Sequence, residues 1–190
     1  MTEMERVPVG GKKRRRNAAE PVADDSDFLR PPVRCSCPIL EADEWHEVES
    51  DWSDIAFLKG SVSAMLGVPV GYADVRESLM ARARRIGAVV PEEPMVLLGS
   101  GRFRRRLLLE IEGAKPGARG VVLPGGISFS RLLEVPWGEM KRAVAATSEI
   151  ARARYGRKPD DVFVWYLTCR VCSRERNFET LIIAHYRKAP

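Results

Sequence analysis

The spacing of apolar residues predicts strands and helices in an order that occurs twice along the chain. Apolar runs, some alternating with polar residues, predict strands, and apolar residues at every third or fourth position predict helices. The first unit has the order strand, helix, strand, strand over residues 55–66, 74–86, 95–98 and 103–112. The second unit has the same order over residues 120–135, 137–155, 163–168 and 178–186. The two units share no obvious sequence identity, so the repeat is one of pattern.

Residues at the ends of these elements support the assignment. Asp74 followed by Glu77 resembles a capping box at the start of the first helix, and Gly87 suits the position just past its end. Gly156 ends the second helix in the same way. Gly60 lies inside the first strand, where a glycine often marks a bulge.

Two such β-α-β-β units can form one curved antiparallel sheet with both helices on the same face. The opposite face, between the two halves, is then concave. A concave sheet lined by aromatic side chains is a typical small-molecule pocket. The sequence therefore predicts an α+β domain over residues 55–190 with a concave pocket.

The most apolar segment, residues 162–167, predicts a buried strand. Its period of two places Phe163 and Trp165 on one face and Val164 and Tyr166 on the other. Such a strand can supply core on one side and a binding wall on the other. For any single aromatic residue, plain core remains the alternative.

Two segments precede this domain. Residues 1–33 are polar and charged, with a Lys/Arg cluster at residues 12–16, and we expect a disordered tail. The cluster suits contact with nucleic acid, but a solvated tail is the simpler interpretation, so nucleic acid is not expected as a partner. Residues 34–54 predict an arm that lays Trp45 and Trp52 on the domain.

Composition indicates a folded cytoplasmic protein. The chain has 190 residues, of which 45% are hydrophobic, and this is enough for a substantial core. The net charge of +5 comes partly from the tail. No apolar run approaches about 18 residues, and the first thirty residues lack the apolar centre of a leader sequence. We therefore expect no membrane segment.

The four cysteines allow two interpretations. In the cytoplasm they are expected to be reduced or metal-bound rather than paired in disulfides. Together they could supply the four ligands of a tetrahedral zinc ion. The spacing of the first pair is atypical for zinc, so thiols that help to pack the arm are the preferred interpretation, and neither a metal nor a cofactor is expected. The four cysteines are Cys35, Cys37, Cys169 and Cys172.

The duplicated order resembles the GyrI-like small-molecule-binding family, of SHS2 type, over residues 55–186. Trp137, which follows Leu133-Glu-Val-Pro, takes the position of the family's aromatic residue at the entry to its second helix. One subfamily is similar in an arm, a Phe-Arg strand and a Trp-Tyr-Thr-Thr-Cys-x-x-Cys segment. The matching residues here are Cys37-Pro38 with Trp45 and Trp52, Phe103-Arg104, and Trp165-Tyr166-Leu-Thr168-Cys169-Arg-Val-Cys172.

A branch of this subfamily acts as cyclopropanoid cyclopropyl hydrolases. The resemblance implies a hydrolase that adds water to the cyclopropane ring of spirocyclopropyl-dienone DNA-alkylating natural products, giving detoxification or self-resistance. The implied partner is a flat, polycyclic aromatic small molecule. The alternative is a non-catalytic protein that binds or sequesters a drug. The sequence leaves open whether the chain forms a homodimer.

Stacked aromatic side chains would hold such a substrate, each contributing about 0.5–1.5 kcal/mol beyond burial. The preferred candidates are Trp137 and Trp165, followed by Tyr166. Since Trp165 and Tyr166 point to opposite faces, one regular strand cannot present both to one pocket. Further candidates for substrate contact are Phe57, Phe103, Phe129 and Trp52.

A carboxylate could orient or deprotonate the attacking water. Glu110 lies within the apolar strand Leu107-Leu-Leu-Glu-Ile and is the first candidate. Glu134 and Glu179 are also on strands and are second choices. An exposed carboxylate at a strand edge is the alternative for each. His185 could act as a base, or simply be packed in the core.

Overall fold

The computed structural model describes residues 37–65, 68–115, 117–169 and 171–187, together with the backbone of Val7–Pro8. Apart from Val7–Pro8, the predicted disordered tail lies outside the described residues, and so do its basic cluster and Cys35.

The described part of the chain contains ten strands and four α-helices, of which two are substantial. The strands are β1 (Val7–Pro8), β2 (Val48–Asp51), β3 (Ala56–Met65), β4 (Val68–Val70), β5 (Val96–Gly99), β6 (Arg104–Ile111), β7 (Val121–Val122), β8 (Ile127–Glu134), β9 (Asp161–Tyr166) and β10 (Glu179–Tyr186). The helices are α1 (Ala42–Trp45), α2 (Tyr72–Arg85), α3 (Met140–Tyr155) and α4 (Cys172–Glu175), with a 3-10 turn at Trp137–Glu139 before α3.

The strands form one open sheet in the order β1-β2-β8-β10-β9-β5-β6-β3-β4, and β7 also pairs with β3. Nine strands, β2 to β10, pair antiparallel, while β1 pairs parallel with β2. The predicted α+β class is confirmed. The chain order β3-α2-β5-β6 and β8-α3-β9-β10 gives two units, which meet where Leu98 and Gly99 of β5 pair with Val164 and Phe163 of β9.

Both long helices lie on the same face of the sheet. Leu79 of α2 packs so closely on Gly60 that a Cβ there would lie 3.0 Å from the leucine. The strand register continues this face from Gly60 through Leu98 and Val164 to β10. Ala151 of α3 packs in a cluster with Ala184 on that same face of β10. We refer to it as the helix face.

Several boundaries differ from prediction. The first helix begins at Tyr72, after Gly71, and no side chain caps it, so the proposed capping box at Asp74 was wrong. Gly87 takes the predicted left-handed conformation, with φ of 73°. The predicted bulge at Gly60 was also wrong, because the β3–β6 register runs through it without interruption. The glycine instead makes room for Leu79.

The arm before the domain covers the opposite face of the sheet. Its polar segment Val48–Asp51 was not predicted as a strand, yet it pairs with β8 as β2. The backbone N–H of Trp52 then donates to the carbonyl oxygen of Gly126, at 2.8 Å. The indole is 1% exposed. The face on which the sequence predicted a binding wall is therefore occupied by a side chain of the protein itself.

Trp52 contacts residues from both units. Its ring centroid lies 5.4 Å from that of Phe57 on β3, 6.2 Å from Phe163 on β9 and 4.9 Å from His185 on β10. Closer to the start of the arm, Trp45 meets Trp165 edge to face at 6.1 Å. The arm therefore packs as part of the core.

We expect Trp52→Ala to lower the free energy of unfolding by about 3–5 kcal/mol, because it leaves a large cavity between the two units. Trp137→Ala is the matched control, since that indole is 53% exposed, and we expect it to cost at most about 1.5 kcal/mol. Urea denaturation monitored by circular dichroism measures both values. Equal losses in the two variants would contradict the structural role of Trp52.

Candidate functional site

A cavity of about 310 Å³ lies on the helix face, between the start of α3 and the segment that follows β9. Its walls are mostly apolar and aromatic. Its lining residues are Val135, Trp137, Met140, Tyr166, Thr168, Cys169, Ser173, Phe178 and Thr180. Concave, largely apolar sites of this kind are where proteins usually bind small molecules.

Two aromatic residues predicted from the sequence meet at this cavity. Trp137 stacks on Tyr166 with ring centroids 4.9 Å apart and an interplanar angle of 25°. Pro136 separates the indole from β8, and the 3-10 turn directs it over the sheet before α3 begins. Tyr166 faces this side because it lies two residues after Val164 on β9. The exposed indole leaves its ring available to a ligand.

The phenol of Tyr166 stays protonated at neutral pH. Burial raises the pKa of Tyr166 above its usual value of 10, while a hydrogen bond from Arg105 opposes that rise. The Arg105 Nε also donates to the carbonyl oxygen of Gly99 at 2.7 Å, which fixes the guanidinium. Tyr72 of α2 is close enough to interact with Tyr166, and burial raises the pKa of Tyr72 to about 12. Both phenols are thus neutral donors.

The remaining polar groups of the lining are small. Thr180 donates its hydroxyl to the carbonyl oxygen of Phe178 at 2.8 Å. The backbone N–H of Ser173 donates to the carbonyl oxygen of Cys169 at 2.9 Å, which folds the segment after β9 back over the sheet. Among the described lining residues, none is Asp, Glu or His. The part of the lining that the structure describes therefore offers hydroxyl groups and a thiol but no carboxylate.

Phe178 enters the cavity wall through an unusual backbone conformation. Asn177 and Phe178 have φ angles of 43° and 58°, in the left-handed region that bulky residues avoid. Such a conformation costs about 1–3 kcal/mol per residue and is most frequent at functional sites. Phe178, Met140 and Ser173 were not predicted as cavity residues. Periodicity places Met140 on a helix and Phe178 at the start of a strand, but it does not indicate that the two elements meet at one cavity.

The other predicted aromatic contacts lie elsewhere. Trp165 is 2% exposed and packs on the arm, on the face opposite to the cavity. Trp52 and Phe57 are buried beside each other on that same face. Phe129 is buried near Tyr155 of α3. Phe103 is 70% exposed at the start of β6, with the guanidinium of Arg102 5.2 Å from its ring centroid.

The three predicted carboxylates do not line the cavity. Glu110 accepts a hydrogen bond from the backbone N–H of Met95 at 2.8 Å and so supports the start of β5. Glu134 accepts from the amide of Asn177 at 3.0 Å. Glu179 pairs with Arg176 of the segment after α4. Each has a contact that stabilises the fold.

A family model described as Bacterial hydrolase matches residues 28–185. The chain belongs to this family. The matched range includes the arm, nearly all of both β-α-β-β units and the described residues that line the cavity. No curated protein matches the chain. None of the described helices has the length and apolarity needed to cross a membrane.

His185 of this hydrolase, another group considered as a base, is buried beneath Trp52 rather than at the cavity. Its Nε2 lies 2.8 Å from the carbonyl oxygen of Gly125. Since a carbonyl only accepts, Nε2 carries the proton of the neutral ring. Burial lowers the pKa of His185, while the Gly125 contact and Asp161 oppose that shift. The folded protein therefore resists protonation of this ring.

We expect the free energy of unfolding to fall as the pH drops below about 6.5, the usual pKa of histidine. Below that pH, His185 is protonated in the unfolded chain but stays neutral in the folded chain. The free energy of unfolding therefore rises with pH in this window. Chemical denaturation between pH 5 and 8 measures the slope. His185→Gln should flatten it, because the glutamine does not titrate in this range. An unaltered slope in His185→Gln would contradict this assignment.

Proposed function

We propose that this hydrolase adds water to the cyclopropane ring of a spirocyclopropyl dienone, with the reacting ring system bound in the cavity beside Trp137 and Tyr166. The observation that carries the proposal is the stack of these two side chains, which combines an exposed indole with a neutral phenol at an apolar cavity. The order of two β-α-β-β units and the Trp-Tyr-x-Thr-Cys-x-x-Cys segment support the same reaction through the resemblance to cyclopropanoid cyclopropyl hydrolases.

The size and lining of the cavity suit a flat apolar ligand. A volume of about 310 Å³ lies at the small end of the roughly 300–1,000 Å³ range of ligand sites. It accommodates the reacting ring system, while the rest of a polycyclic molecule extends past Trp137 towards solvent. Stacking on the indole and edge contacts with Phe178 contribute about 0.5–1.5 kcal/mol each beyond burial.

Tyr166 is suited to activate the dienone. As the cyclopropane opens, negative charge develops on the carbonyl oxygen, and a donor placed there stabilises the transition state. Arg105 can only donate to the phenol oxygen, so the phenol keeps its own proton to donate to the substrate. We assign Tyr166 this role and Trp137 the role of holding the ring plane.

The bond changes balance without any cofactor. The oxygen of water bonds to the ring carbon, and the carbon–carbon bond to the spiro centre breaks. Its electron pair moves into the dienone, which becomes an aromatic phenol after the carbonyl oxygen gains a proton. The water loses a proton to solvent. Since strain relief and aromatisation drive the step, it is compatible with described lining residues that include no carboxylate.

A second function is favoured by one observation. The described lining contains no Asp, Glu or His, which are the side chains that most often transfer protons. A cavity of this kind also suits a protein that binds and sequesters an aromatic drug without changing it. The two functions differ in whether a water adduct accumulates.

The deciding experiment incubates the purified chain with a synthetic spirocyclopropyl dienone and follows the ring-opened water adduct by mass spectrometry. We expect multiple turnovers, and Tyr166→Phe should lower kcat by about 100–1,000-fold because it removes one donor to the developing charge. Tyr155→Phe is the matched control, since its hydroxyl binds Glu49 away from the cavity. Saturable binding without product would establish sequestration instead.

We expect Trp137→Ala to raise KM by about tenfold, because stacking on the indole holds the bound ring. The decrease in kcat should be smaller. Phe103→Ala, which removes an exposed aromatic side chain outside the cavity, should leave both constants unchanged. Circular dichroism confirms that each variant is folded. If Trp137→Ala has the constants of the wild type, the indole does not contact the substrate.

The rate should also report the protonation state of Tyr166. Because burial raises the pKa of Tyr166 and outweighs the opposing charge and hydrogen bond of Arg105, we expect kcat to be level from neutral pH to about 10. It should fall only above that value, as the phenol loses its proton. Stopped-flow rates corrected for uncatalysed hydrolysis measure the profile. A rate that rises through this range would identify a phenolate base and contradict the proposed donor.

A further inference from the structure

Three cysteine side chains from distant parts of the sequence meet beside the cavity. Cys37 lies at the start of the described arm, while Cys169 and Cys172 follow β9. Their sulfur atoms all lie within 4.8 Å of one another. The fold thus brings the arm and the segment after β9 together at a cluster of thiol ligands.

We propose that these three residues bind a zinc ion, which fastens the arm to the segment after β9. A tetrahedral zinc site has Zn–S distances of about 2.3 Å, and hence sulfur atoms about 3.8 Å apart. The cluster needs shifts of only about 1 Å to reach that geometry. Soft thiolate ligands favour zinc over magnesium or calcium, which prefer oxygen ligands.

The backbone around the sulfurs fits a bound thiolate. The N–H of Cys169 donates to Sγ of Cys37 at 3.0 Å. A hydrogen bond of this kind stabilises the negative charge that a thiolate carries, and the thiolate is the form that binds metal. Cys169 and Cys172 have the two-residue spacing common in zinc sites, and the N–H of Ser173 donates to the carbonyl oxygen of Cys169 at 2.9 Å, which closes that turn.

The neighbouring contacts hold the arm in the same place. The guanidinium of Arg176 donates to the carbonyl oxygen of Pro38 at 2.8 Å, next to Cys37. Cys169 is exposed and the other two side chains are half-buried, so a metal ion can enter from solvent.

A zinc ion bound here would also affect the cavity, although the ion takes no part in the proposed reaction. Cys169 also lines the cavity, so an ion bound to its sulfur would fix that wall. Three thiolates leave one position of the tetrahedron, which a water molecule can fill.

Elemental analysis of the full chain, produced with added zinc and purified without chelators, tests the proposal. We expect about one zinc ion per chain in the wild type. Cys37→Ser, Cys169→Ser and Cys172→Ser should each lose most of it. Val171→Ala is the matched control, because it alters the same turn without removing a sulfur, and it should keep the ion.

Cobalt(II) substitution provides a second readout that does not depend on activity. The reduced chain loaded with cobalt should show sulfur-to-cobalt charge-transfer bands and the intense visible bands of a tetrahedral site, and both should weaken in the serine variants. A wild-type chain that holds only traces of zinc and gives no such bands would overturn the proposal. A disulfide between two of these cysteines in freshly purified protein would also overturn it. Neither result depends on whether the dienone is hydrolysed.

Discussion

The burial of one indole at the junction of the two units is the interaction on which the rest of this structure depends. The backbone pairing between the units covers only two residue pairs, Leu98 with Val164 and Gly99 with Phe163. Trp52 lies over that junction and contacts side chains from β3, β9 and β10. A large aromatic side chain buried there adds the apolar contact area that so short a strand pairing lacks. The arm that carries it is therefore part of the folded domain.

Filling that face determines where a ligand can bind. The aromatic side chains of β9 that point towards the arm, Phe163 and Trp165, are used in packing against Trp52 and Trp45. Tyr166 points to the opposite face. Together with Trp137, which precedes α3, it forms a cavity wall that no part of the arm covers in the described residues. The cavity thus arises at the end of the sheet where α3 begins and the segment after β9 folds back.

Much of the fold could be predicted from the sequence because it depends on local periodicity. The alternation along β9 correctly placed Trp165 and Tyr166 on opposite faces, and apolar residues at every third or fourth position correctly predicted α2 and α3. The face that stays open could not be predicted, because it depends on where the arm docks. That docking uses β2, whose polar residues show no strand pattern.

The individual side-chain roles were harder to predict for a related reason. Glu110 looks like a buried acid in its own strand, but its partner is the backbone N–H of Met95, fifteen residues away. The approach of Cys37 to Cys169 is a contact across 132 positions. Sequence spacing carries no information on such distances, since the path of the chain between the residues sets them.

The left-handed backbone at Asn177 and Phe178 has a consequence for the shape of the cavity wall. A conformation that costs about 1–3 kcal/mol per residue is kept only while neighbouring contacts compensate for it. Two such contacts are the hydrogen bond from Asn177 to Glu134 on β8 and the hydrogen bond from Thr180 on β10 to the carbonyl oxygen of Phe178. The placement of the Phe178 ring therefore depends on polar side chains of two neighbouring strands, and a substitution at either strand end would reshape the wall without touching an aromatic residue.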